Sequence, residues 1–233
     1  MLKKDLIARN PLRILENTGN TVLNAGQFGM VAAMAGVGKT AMLVQLALDS
    51  ILNGRNILHI SVGQPVKKVV LWYDEVFNNI KQEYHLEHAE EEMWENILPH
   101  RFIMTYNVET FKPHRLEERI NDLTEQGIFM PQVAIIDGLR FDQYARDSLT
   151  ELKIMAKDHG FPIWFSATIP AADAQDSAGL PESIANLSSM FEVILQLKPV
   201  GQEMQLNLLK GPSAAQTDMG LRLDPATMLV HKA

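Results

Sequence analysis

The chain has no cysteine among its 233 residues. That excludes disulfides and any thiolate metal site. It also lacks an apolar run of membrane-spanning length. The opening residues, Met1-Leu2-Lys3-Lys4-Asp5-Leu6, hold no apolar signal-peptide core and soon meet Arg9, Asn10 and Pro11. With neither cysteine nor an export or membrane signal, a cytoplasmic protein is expected. Basic residues are outnumbered, and the formal net charge is −7. That argues against a constitutively basic nucleic-acid surface, though not against a small local groove. Internal repeats and domain linkers are also missing. What the chain does have is 46% hydrophobic residues, enough for a large core, in a length that suits one α/β domain. Its methionines are scattered and read as core filler.

The stretch with the most chemistry is Gln27 to Thr40, QFGMVAAMAGVGKT. It ends in Ala33-x-x-Gly36-x-Gly38-Lys39-Thr40, a P-loop pattern with Ala where the first Gly usually stands. Gly36 and Gly38 let backbone N–H groups turn inward and cradle phosphate oxygens. Lys39 supplies a point charge for the β- and γ-phosphates, and Thr40 a hydroxyl for Mg²⁺. Residues Ala35, Gly36, Val37, Gly38, Lys39, Thr40 and Ala41 form the expected binding segment for ATP or ADP. The following helix adds its positive N-terminal end. The context fits: an apolar run, Met30 to Met34, precedes the loop, and an apolar helical pattern from Ala41 to Ile51 follows it, stopping at Gly54.

A phosphate site of this kind needs an acidic residue at the end of a neighbouring buried strand. Val133-Ala134-Ile135-Ile136-Asp137 fits, because an unbroken apolar run suits a strand covered on both faces. Asp137 is the candidate partner of Thr40 in holding Mg²⁺. Its alternative is a strand-ending turn, since Asp137-Gly138 is also a turn dipeptide.

Along the rest of the chain, residues 1–25 read as a short helical lead with Leu6, Ile7, Leu12, Ile14 and Leu15 on its apolar face. A single domain then spans 26–233. Strands are expected at Asn56–Ser61, Arg101–Asn107 and Pro162–Thr168. Helices are expected from Pro65, over 86–98, over His114–Gln126 and over Asp147–His159. Residues 169–182 read as a flexible loop. In the last quarter Phe191–Leu197, Met204–Lys210 and Leu221–Val230 look like antiparallel strands at one sheet edge.

Alternating βα units, this P-loop, the Asp137 strand and a β-rich tail together resemble the RecA-like ATPases. The likeness is to KaiC-type proteins and the motor domains of replicative hexameric helicases, over about residues 25–230. The resemblance implies an α/β P-loop NTPase fold with a mainly parallel central sheet, flanking helices and an antiparallel C-terminal edge. It implies ATP and Mg²⁺ as ligands, and assembly into a homo-oligomer. It places Ser166-Ala167-Thr168 on the strand next to the phosphates. It likens Leu208-Leu209-Lys210-Gly211-Pro212 to the late strand whose basic residues reach a neighbour's ATP site, so Lys210 is either that residue or a solvated strand-end lysine. Leu223-Asp224-Pro225 resembles the family's closing hairpin.

The chain departs from the family in two places. Family members carry a catalytic Glu just past the second strand, and here that stretch reads Ser61-Val62-Gly63-Gln64, with no carboxylate. Gln64 could orient a water or simply precede Pro65. Asp74 and Glu75 fall on the next helix, too far to substitute, since eleven helical residues rise about 16 Å. The late basic pair is reduced to Lys210. His85 and His88, near Glu87, Glu90 and Glu91, are more a charged helix face than a metal site. Arg140 and Arg146 read as solvated.

These features order the functions. First stands a slow Mg-dependent ATPase coupling nucleotide state to assembly or conformation. Second is a non-hydrolysing nucleotide switch or scaffold. Third is a DNA-acting helicase- or recombinase-type motor, not favoured because the 169–182 loop has Asp173, Asp176 and Glu182 but no Lys or Arg. No membrane partner is expected.

Overall fold

A computed structural model describes residue 13 and residues 22–85, 90–141, 145–177, 179–211 and 218–233. The proposed lead helix of residues 1–25 therefore lies almost wholly outside the described residues, as do Glu87, His88 and Asp142. The described chain is an α/β fold built on a nine-stranded sheet. Its strands are β1 (Phe28–Ala33), β2 (Ile57–Val62), β3 (Arg101–Tyr106), β4 (Val133–Asp137) and β5 (Ile163–Thr168), then β6 (Val193–Val200), β7 (Glu203–Lys210), β8 (Leu221–Leu223) and β9 (Val230–Lys232). They lie in the order β3-β2-β4-β5-β1-β6-β7-β8-β9. The first six in that order run parallel, and the last three continue antiparallel.

The tail differs from expectation in detail. The strand near 191–197 becomes β6, which is antiparallel to β7 as expected but pairs in parallel with β1 on its other side. The stretch Leu221–Val230 is not one strand. It is β8, a turn and the start of β9. Asp224 forces the break: its backbone N–H bonds Leu229 O, and its carboxylate accepts from Ala226 N–H and Thr227 Oγ1. Such side chain–backbone bonds offer the chain a turn in place of a ladder.

Helices α1 (Lys39–Leu52), α2 (Val66–Glu83) and α3 (Glu90–Ile97) cover one face of the sheet. Helices α4 (Pro113–Glu125), α5 (Ala145–Asp158) and α6 (Glu182–Ala185) cover the other. Each shows its cause in sequence. On α2, Val69, Tyr73, Val76 and Phe77 make one buried stripe. On α4, Pro113 takes the first position, where its missing N–H costs nothing, and Leu116, Ile120 and Leu123 face inward. The α3 segment, rich in Glu, nonetheless buries Ile97 and packs the Trp94 ring 4.6 Å from the Phe77 ring.

Strands β1, β2 and β5 are buried on both faces, β5 up to its last residue. That is why their sequences run apolar without alternation. Gly29 in β1 answers to Trp164, its partner in register on β5. A Cβ at Gly29 would lie 2.4 Å from the indole ring. No described helix is long and apolar enough to cross a membrane.

Candidate functional site

The loop between β1 and α1 leaves the sheet at the carboxyl end of its strands, beside a central strand. In an open α/β sheet this is where ligand crevices form. Gly36 has φ +78 and Gly38 φ +97, so both occupy the left-handed region that favours glycine. Gly38 is also the N-cap of α1, with no side-chain cap and no acidic residue in the first turn. The first turn of α1 thus carries no carboxylate of its own.

Lys39 folds back over the loop. Its Nζ donates to Ala33 O at 3.1 Å and Met34 O at 2.8 Å. Burial pushes the ammonium below the usual lysine range, and the Asp137 carboxylate pulls it back up. Thr40 Oγ1 donates to Asp137 Oδ2 at 2.7 Å, across a sequence separation of 97 residues. The fold therefore joins the two side chains assigned to Mg²⁺ from sequence alone. A hydroxyl and a carboxylate are hard oxygen donors, and Mg²⁺ characteristically takes one or two carboxylates with phosphate and water completing its shell. The residues present fit that ion. They do not make an all-protein metal cage: no group of three or more His, Asp or Glu converges among the described residues.

Ser166, on the strand that the resemblance puts next to the phosphates, bonds the end of β4. Its Oγ donates to Asp137 Oδ1 at 2.5 Å and accepts from Gly138 N–H at 2.9 Å. Gly138 has φ +91, and a Cβ there would lie 2.4 Å from Val62 O. Only glycine lets the chain turn this tightly behind Asp137 while presenting its N–H to Ser166. Thr168 stands in register with Ala33 and is exposed.

The remaining candidates are more dispersed. Ala35 and Gly36 are exposed, whereas Val37 and Ala41 are buried beneath the loop. Gln64 is exposed, just beyond the end of β2, on the sheet edge that carries Asp137. Lys210 is not near its own loop. It pairs with Ile194, which is level with Met30, about 10 Å down the strand from Ala33 at the usual rise. Its Nζ donates to Ser188 O at 2.8 Å. Asp74 and Glu75 lie on α2, as the spacing implies. Asp147 lies in the first turn of α5 on the opposite face of the sheet. Arg146 is exposed, as expected, and its Nη2 also donates to Asn186 O at 2.6 Å.

Two features escaped the sequence reading. The β8–β9 hairpin packs behind the phosphate loop: a Cβ on Gly38 would lie 2.6 Å from Leu223 Cδ2. Gln45 of α1 locks that hairpin, donating to Met228 O and accepting from Val230 N–H. A polar residue inside the otherwise apolar run of α1 was the available signal. The second feature is a buried cluster beneath the loop edge. His59 Nδ1 lies 3.1 Å from the Tyr73 hydroxyl, and Arg101 stacks 4.6 Å over the Tyr73 ring. The signal was one histidine inside the apolar strand Ile57–Val62.

The His59 cluster sets a pH dependence. Burial pushes His59 down to about 4, with Asp137 raising it and Arg101 lowering it further. An unfolded histidine titrates near 6.5. Below that pH the unfolded chain takes up a proton that the folded chain refuses. Stability from this group is therefore complete above pH 6.5 and drains away as pH falls toward about 4. Urea unfolding at pH 7, 6 and 5 should show a shallower loss for His59→Gln than for the parent. Equal slopes would show that His59 is not the titrating group.

Comparison with known proteins finds no matching family model and no significantly similar curated protein.

Proposed function

We propose that this chain binds ATP or ADP with Mg²⁺ at residues 35–41, in a RecA- and KaiC-like P-loop domain, and hydrolyses ATP slowly to couple nucleotide state to assembly or conformation. The observation that carries this reading is the Thr40–Asp137 hydrogen bond at 2.7 Å. It unites, at the open end of a helix, two residues that phosphate chemistry requires together. In this reading the 36–40 backbone and the α1 N-terminus hold the phosphates. Lys39 leaves the Ala33 and Met34 carbonyls for the β- and γ-phosphates, while Thr40 and Asp137 hold the ion. Magnesium supplies charge neutralisation across those phosphates. Thr168, exposed beside Ala33, is the hydroxyl available to the γ-phosphate.

A non-hydrolysing switch is the second reading. It is favoured by one observation: the edge of β2 carries exposed Gly63 and Gln64 where a water-activating carboxylate would stand. A DNA-acting motor ranks below both, for want of basic residues on the 169–182 loop.

Calorimetry tests the site. Lys39→Ala should weaken ATP binding about tenfold or more, because a hydrogen bond to a charged group is worth about 1.5–3 kcal/mol. Asp137→Asn, nearly isosteric, should bring nucleotide affinity in magnesium down toward that in EDTA. Parent-like binding by Lys39→Ala would end the P-loop reading.

Basal turnover should fall well below the roughly 10 per second typical of enzymes, and Gln64→Ala should lower it further. Rapid hydrolysis by the parent would show that some other group activates water.

A neighbouring copy is the natural cover for the loop. A cavity of about 420 Å³ beside Met34, between Ile169 and Lys198, lies open at this edge, and Lys210 is too far down its own sheet to serve its own loop. A non-hydrolysable ATP analogue should shift light scattering toward a larger species, since a ligand held across an interface stabilises it. A monomer with and without the analogue would remove Lys210 from the site.

A further inference from the structure

Asp137 has a carboxylate with two oxygens, and in this fold they are given different tasks. Oδ2 faces the Thr40 hydroxyl on α1. Oδ1 faces the Ser166 hydroxyl on β5. Ser166 is 3% exposed, and its hydroxyl has one proton to give and accepts through its lone pairs. Asp137 Oδ1 accepts the hydrogen bond from that hydroxyl, and Gly138 N–H donates to its oxygen. The hydroxyl is therefore committed to the strand end behind Asp137.

We propose that Ser166 is a positioning residue, which fixes the rotation of the Asp137 carboxylate so that Oδ2 stays turned toward Thr40 and the magnesium position. The role rests on the nucleotide-site reading above and adds a residue to it. Its physical basis is local. A carboxylate at a strand end has a broad, roughly two-fold terminal torsion. A hydrogen bond on one oxygen removes most of that freedom and leaves the other oxygen preorganised. Groups that orient a metal-binding carboxylate in this way typically change metal affinity 10–100-fold when removed. Two backbone features make the arrangement difficult to replace. Gly138 is the one residue type that tolerates both φ +91 and the approach to Val62 O. Strand β5 is held between β4 and β1 by parallel ladders on both sides: Ser166 is in register with Val31 of β1 and follows the last β4–β5 pair, Ile136 and Phe165.

The test is ADP affinity measured by calorimetry in magnesium and in EDTA, for the parent, Ser166→Ala and Ser166→Cys. The cysteine variant fills the side-chain space with a somewhat larger group that is a weak donor, so it reports the hydrogen bond even if the alanine variant leaves a damaging cavity. Both variants should lose about tenfold of affinity in magnesium and stay within about twofold of the parent in EDTA. In an Asp137→Asn background, Ser166→Ala should have little further effect on magnesium dependence, because the two groups act as one unit. Equal losses in magnesium and EDTA would mean that Ser166 only supports the fold. A magnesium-dependent parent with an equally magnesium-dependent Ser166→Ala variant would also overturn the positioning role. A parent whose ADP affinity ignores magnesium would instead overturn the metal site itself.

Discussion

A carboxylate placed at the end of an apolar strand must be met by hydrogen bonds, because an uncompensated charge in that setting is too costly to keep. Asp137 meets this constraint with one hydroxyl from α1 and one from β5. The two bonds tie together three elements distant in sequence: the helix after the glycine loop, the strand ending in Asp137 and the strand between that one and β1. The proposed phosphate site is a consequence of this knot. It holds the first turn of α1 against the sheet, and so the N–H groups of the loop are presented from a fixed frame.

The same frame is braced from behind. Leu223 of the β8–β9 hairpin fills the space that a side chain on Gly38 would occupy. Gln45 stitches the hairpin to α1 through both halves of its amide, and Asn79 of α2 donates to Thr227 O at 2.7 Å. The C-terminal strands are thus part of the loop's support as well as the end of the sheet. Lys39, by contrast, donates to two backbone carbonyls, Ala33 O at the end of β1 and Met34 O in the loop. Such bonds can be exchanged for phosphate oxygens without disturbing the core. The proposed site thus sets a carboxylate held by two hydroxyls beside a lysine bonded to backbone carbonyls.

Much of this was legible in the chain itself. The glycine-loop segment, the Asp137 strand and the α/β alternation each rest on local physics: glycine's access to positive φ, the unbroken apolarity of a strand covered twice, and the 3.6-residue stripe on α2, α4 and α5. Features set by contacts between distant segments were not legible. Nothing in Phe191–Leu197 announces that β6 runs parallel to β1, since apolar runs look alike in either direction. The partner of Ser166 depends on which strand lies beside β4. Whether Trp94 is exposed depends on whether Phe77 is within reach.

Sequence by itself therefore marked the residues of the proposed site, because Lys39, Thr40 and Asp137 stand out by residue type and by the elements that bear them. Only the tertiary structure decided what those residues do to one another. It brought Thr40 to Asp137, set the Ser166 hydroxyl against Asp137 and Gly138, and placed Lys210 away from its own loop. The physical reason is that hydrogen bonds act over about 3 Å, and separations of that size between residues far apart in the chain are fixed by strand order and packing.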